Sequence, residues 1–109
     1  MEDEYEAGYN YKVTPVAADD LDAIDSYISD ILHAPLAAMN LMDEFDEQFY
    51  LLCDNPYRCE LSRNPILREK GYRILVVGNY VALYLVDEVD ELVIITRVFY
   101  GAMDYEKYV

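Results

Sequence analysis

Chemistry on a phosphate without a metal needs cationic groups that hold the anion and a side chain that can pass a proton. Few residues here qualify. Arg73 and Arg97 lie inside segments rich in Val, Ile and Leu, which read as strands and would hold them rigidly. Strand alternation sets Arg73 opposite in phase to Tyr72 and Ile74, and Arg97 in phase with Val93, Ile95 and Phe99. An arginine on the uncovered side of a sheet could bind an anion there without being buried unpaired. Tyr100 and Tyr105 flank the end of the last apolar segment near Arg97, where a phenol can stack on a base or shuttle a proton. Most of the 12 tyrosines are better read as core-edge packing residues. Arg63, Arg68 and Lys70 belong to a basic stretch, residues 55–75, that also holds Arg58 and Arg73 against Glu60 and Glu69. They are the candidates for nucleic-acid contact, although the plainer reading pairs these bases with acidic helices.

Other chemistries lack their residues. There is no HExxH, no GxGxxG, no P-loop and no EF-hand loop. The runs Asp19–Asp25 and Asp43–Glu47 are interleaved with apolar residues at helical spacing, as solvated helix faces are. Cys53 and Cys59 are too few for a zinc site and lack CxxC spacing. His33, which could in principle serve Ser26 as a base, is a lone histidine at an expected helix end. Neither a metal nor a cofactor is therefore expected. With 22 acidic side chains against 8 Lys and Arg, the 109-residue chain carries a formal charge of −14. That field repels a polyanion and handicaps nucleic-acid binding. The longest apolar stretch, Ile74 to Val86, is broken by Gly78-Asn79 and is too short for a membrane helix. The acidic start Met1-Glu2-Asp3-Glu4 is unlike a secretory signal, so a cytoplasmic location with reduced thiols is expected.

The elements that would position these residues emerge from periodicity. Residues 1–8 read as an acidic disordered leader and 9–109 as one α+β domain. Tyr9, Tyr11 and Val13 alternate with polar residues as a strand does. Thr14-Pro15 opens a helix whose stripe is Leu21, Ile24, Ile28 and Ile31, with Asp19, Asp20, Asp22, Asp25 and Asp30 largely outside it. Pro35 opens a second helix, burying Ala38, Leu41, Met42, Phe45, Phe49 and Leu52, and the two form an antiparallel hairpin. A Pro-containing connection over 54–71 precedes three strands, Tyr72–Val77, Tyr80–Val86 and Leu92–Phe99, joined as an antiparallel meander. The helices should pack on one sheet face and leave the other partly open.

Several strings occur in a telling order: Tyr11-Lys12-Val13-Thr14-Pro15, Asp20-Leu21, Tyr27-Ile28, Asn55-Pro56, Gly71-Tyr72-Arg73, Asn79-Tyr80, Tyr84 with Val86-Asp87-Glu88, Arg97-Val98-Phe99-Tyr100-Gly101 and Asp104-Tyr105-Glu106-Lys107. From about residue 10 to 108 the chain resembles the RelE/ParE toxin superfamily. The resemblance implies the toxin half of a bacterial type II toxin-antitoxin pair, of the kind linked to plasmid stabilization, bound by a cognate antitoxin. RelE-like members are mRNA interferases, metal-independent endoribonucleases that cut messenger RNA on the ribosome. ParE-like members poison DNA gyrase. A RelE-like activity, expected in weakened or altered form, would use Arg73 and Arg97 on the phosphate, and Tyr100 or Tyr105 for proton transfer or stacking. The alternatives are a gyrase inhibitor acting by protein binding and an inactive homologue that binds only antitoxin. Related chains commonly read Tyr-Gly-Arg-Arg-Asp after the last strand. This one reads Tyr100-Gly101-Ala102-Met103-Asp104, and has Val81 where RelE-type nucleases place an arginine after the leading tyrosine.

Overall fold

A computed structural model describes residues 8–101. The expected leader, apart from Gly8, lies outside the described residues, as do Ala102, Met103, Asp104 and Tyr105. Strand β1 (Asn10–Val13) leads into helix α1 (Pro15–Ser26), a wide π turn over Tyr27–Ile31, helix α2 (Pro35–Asp54) and a short helix α3 (Pro65–Glu69). Strands β2 (Arg73–Val77), β3 (Tyr80–Asp87) and β4 (Leu92–Tyr100) complete the sheet, whose order is β1-β4-β3-β2. The meander is antiparallel as expected, whereas β1 lies parallel to β4, pairing Asn10 with Leu92 through Val13 with Ile95.

Local chemistry explains the punctuation. Thr14 caps α1, its Oγ1 accepting from Ala17 N at 3.1 Å, while Pro15 fills a first-turn position that needs no N–H donor. Asn64 does the same for α3, its Oδ1 accepting from Ile66 N and Leu67 N. The β2–β3 connection puts Gly78 first with φ +59, the conformation a type II′ hairpin demands of that position. In the β3–β4 turn, Asp87 Oδ1 accepts from Val89 N and Asp90 N.

The main core lies between α2 and one sheet face. Phe45, Phe49 and Leu52 pack on Leu75, Val77, Ala82, Tyr84, Val93 and Ile95, and Ala17 joins them from α1. Phe49 sits between Tyr11 and Phe45, with ring centroids 5.7 and 5.9 Å away. A second, smaller cluster covers part of the opposite face. Leu67 of α3 packs there on Leu83 and Phe99. The connection over 54–71 thus contains a helix that sequence periodicity left out, because five residues are too few to show a stripe.

Two further expectations need correcting. The α-helix does not continue through Ile31, because the π turn widens it: Leu32 N donates to Tyr27 O and Ala34 N to Ile28 O. The extra residue per turn rotates Ile31 out of the stripe, and it is 64% exposed. His33 then ends the segment in the left-handed region at φ +54, a helix-terminating role open to His. Asp20 also departs from the solvated face on which it was expected and is half-buried against β4.

Tyr84, fully buried, ties the sheet to the loop after α2 by donating its hydroxyl to Pro56 O at 2.8 Å. Burial, reinforced by the Cys59 thiol, pushes this phenol well above its ordinary value. A raised folded-state pKa gives stabilisation that is complete below the ordinary phenol pKa and lost as pH climbs toward the folded one. Tyr84→Phe, which leaves Pro56 O without this donor, should lower the urea unfolding free energy by about 1–3 kcal/mol at neutral pH. Above about pH 10 the wild-type value should fall more steeply than that of the variant. Parallel pH curves for the two proteins would contradict this assignment.

Candidate functional site

The sheet is asymmetric at β4. β1 covers only its first half, and pairing ends where Thr14 N donates to Ile95 O. At that point the β3–β4 register slips, from Tyr84 opposite Ile95 to Leu83 opposite Arg97, so Thr96 is the extra residue of a bulge. Thr96 Oγ1 donates to Leu83 O, and Thr14 Oγ1 donates to Thr96 O, both at 3.1 Å. The cap of α1 and the bulge of β4 are therefore one structure.

The bulge reverses the facing of the rest of the strand. Val93 and Ile95 point into the main core, and beyond Thr96 it is Val98 that does so. Arg97 falls beside Phe99 on the other face, its guanidinium carbon 4.6 Å from the Phe99 ring centroid. The expected phase match of Arg97 with Val93 and Ile95 is thus broken by a single inserted residue. Arg97 Nε donates to Asp20 Oδ2 at 2.9 Å and Nη2 to Asp20 Oδ1 at 3.3 Å. Val98 N–H, on the edge that β1 leaves uncovered, also donates to Asp20 Oδ2 at 2.9 Å. One carboxylate satisfies a guanidinium fork and a strand edge together.

Arg73 goes elsewhere. It stands opposite Tyr84, and Arg97 opposite Leu83, so the two arginines occupy opposite faces of the sheet. Its Nη1 donates to Cys59 O at 2.6 Å, and its guanidinium carbon lies 4.9 Å from the Tyr57 ring centroid. Tyr57 in turn donates to Glu88, a bond that raises its phenol pKa. Arg68 and Lys70 are exposed at the end of α3, whose Leu67 shares a face with Phe99, and exposed Arg63 precedes α3. Tyr100 is half-exposed and meets Tyr80 edge-on, with centroids 5.6 Å apart. Burial, then Tyr100 and Tyr27, push the Tyr80 phenol up, so it stays protonated near neutral pH.

Between α1 with its π turn and the uncovered end of β4 lies a groove of about 740 Å³, lined among others by Asp20, Ile24, Tyr27, Tyr80, Val98 and Tyr100. Leu32 also lines it, and both Tyr27 and Leu32 are about half exposed there. An apolar groove edged by charged side chains, here Asp20 and Arg97, is the kind of surface that marks a protein interface. The groove's acid was missed in the sequence, although Ala17, Asp20, Ile24 and Tyr27 recur at spacings of three, four and three. That stripe flanks the one chosen from Leu21 and Ile24. Among the described residues no group of three His, Cys, Asp or Glu gathers as metal ligands would, and no helix is long and apolar enough to cross a membrane.

The sequence profile described as "ParE toxin of type II toxin-antitoxin system, parDE" matches residues 11–105. The chain belongs to the ParE toxin family. No curated protein sequence matches it. Among solved structures, the ParE-family chain is similar to one titled as the chromosomal ParDE toxin-antitoxin system from P. aeruginosa. Identity there is 25%, covering 84% of this chain and 95% of that one, with a TM-score of 0.67. It also shares its fold with a chain of the RelBE2 toxin-antitoxin complex from Mycobacterium tuberculosis, at 21% identity and a TM-score of 0.59, covering 85% of this chain and 98% of that one. The α+β architecture expected of a RelE/ParE toxin is the one observed.

In this ParE toxin, removing the Asp20 carboxylate breaks the fork with Arg97 and takes the acceptor from the Val98 N–H. Asp20→Ala should lower the unfolding free energy by about 2–4 kcal/mol in urea denaturation. Asp20→Asn should recover part of this, because its carbonyl still accepts from Val98. Equal losses in both variants would show that the backbone bond contributes nothing.

Proposed function

We propose that this ParE toxin is held by a cognate antitoxin seated in the apolar groove between α1 and β4, and that it acts on DNA gyrase by binding protein rather than by cutting messenger RNA. The observation that carries the choice of target is the separation of Arg73 and Arg97. Metal-free RNA cleavage needs cations converging on one phosphorus beside a base and an acid, and each aimed donor is worth about 2.7–4 kcal/mol of transition-state stabilisation. Here the two sheet arginines are on opposite faces, one forked onto Asp20 and the other bonded to the Cys59 carbonyl. The charge of −14 further opposes docking on ribosomal RNA. The family's gyrase-directed members supply the target class, and two similar structures titled as toxin-antitoxin systems support the antitoxin.

The rival ribonuclease reading gives Arg73, Arg97, Tyr100 and Tyr105 catalytic roles, with Arg63, Arg68 and Lys70 on the RNA. Purified toxin should inhibit supercoiling by purified gyrase while leaving ribosome-bound messenger intact. Cleavage of that messenger, abolished by Arg73→Ala and by Arg97→Ala, would overturn the proposal. The seat of the antitoxin makes a separate prediction. Tyr27→Glu and Leu32→Glu, both in the groove lining, should each weaken antitoxin affinity about tenfold or more, because each puts a charge into an apolar contact. Affinity should change little between low and moderate salt. A steep salt dependence, or no effect of either substitution, would place the antitoxin elsewhere.

A further inference from the structure

The sheet's other edge is also unfinished. In β2 the odd-numbered residues pair with β3, and Tyr72, Ile74 and Val76 turn their backbone groups outward. Residues 60–62 cover the first two: Ser62 N donates to Tyr72 O and Ile74 N to Glu60 O. The cover stops there. Val76 is 66% exposed, and among the described residues nothing pairs with its outward N–H and C=O.

Beside this gap runs a groove of about 670 Å³ whose walls include Arg58, Leu61, Arg63, Ile74 and Val76. Arg58 Nη2 donates to neutral Gln48 at 3.2 Å, and among the described residues no carboxylate pairs with Arg58 or Arg63. Two guanidiniums outside any ion pair among the described residues, against the one carboxylate of Glu60, thus line an open strand edge on a molecule of formal charge −14.

We propose that this edge accepts an acidic peptide in extended conformation, added as a fifth strand beside β2. Val76 would donate and accept one backbone bond each, extending the short ladder begun by residues 60–62. Carboxylates on the incoming strand would pair with Arg58 and Arg63, two cations that outweigh the one opposing carboxylate of Glu60 in the groove. A second copy of the toxin is disfavoured, because it would bring the same arginines against these. Single-stranded RNA is disfavoured because no aromatic side chain lines the groove for bases to stack on. This site lies at the opposite edge of the sheet from the α1–β4 groove, and it does not depend on which cellular target the toxin has.

The test uses the full chain, isotope-labelled, with a blocked Glu-Val-Glu-Val-Glu peptide as probe. Titration should shift the Val76 amide resonance and its neighbours in β2, slow hydrogen exchange at Val76, and weaken as salt rises. Arg58→Glu with Arg63→Glu should reduce affinity about tenfold and transfer preference to Lys-Val-Lys-Val-Lys. Val76→Pro, tolerable on an open strand edge, should abolish the shifts while the remaining spectrum stays that of the folded protein. Three results would overturn the proposal: no shift at millimolar peptide, shifts confined to the α1–β4 groove, or tighter binding of an oligouridylate at the same amides.

Discussion

The architecture depends on one carboxylate. Asp20 accepts from the Arg97 fork and the Val98 N–H, joining the first helix to the last strand where β1 has stopped covering it. Without an acceptor there, the edge of β4 would present an unpaired donor beside a half-buried guanidinium, both costly away from water. The same contact determines what Arg97 is available to do. A guanidinium with two nitrogens committed to an internal carboxylate shapes a groove wall.

Around this contact the molecule spends its polar groups on joining distant segments. Thr14 caps a helix and fastens a bulge, Tyr84 anchors the loop after α2, and Arg73 fixes the Cys59 carbonyl. Ser62, the buried polar side chain of the loop before α3, accepts from Asn64 N. Arg73 reads as a candidate for chemistry in the sequence. In the fold each of these side chains has a structural bond.

Much of this was legible beforehand, because hydrophobic periodicity reports burial directly. Phe45, Phe49 and Leu52 on α2 and the three strands of the meander stand where spacing placed them. What escaped was whatever breaks a period by one residue. The bulge at Thr96 reverses the face of Arg97, and the π turn moves Ile31 from core to surface. Neither leaves a mark in composition: the bulge is fastened by Thr14, far along the chain, and the π turn replaces one local bonding pattern with another. Asp20 escaped for a related reason: an acid among acids on a helix reads as solvated, and only β4 distinguishes it. The pairing of β1 with β4 in parallel lay equally beyond local pattern.

That parallel pairing fixes when the toxin can exist. The bonds that complete the groove join Thr14 to Thr96 and Asp20 to Arg97, separations of 82 and 77 residues. A nascent chain that has not yet reached β4 owns an N-terminal strand with no neighbour and a helix with no edge to bind. Contacts of such long range form late, after the cost of closing the whole chain into a loop has been met. The groove between α1 and β4 is consequently absent from any chain that stops short of β4.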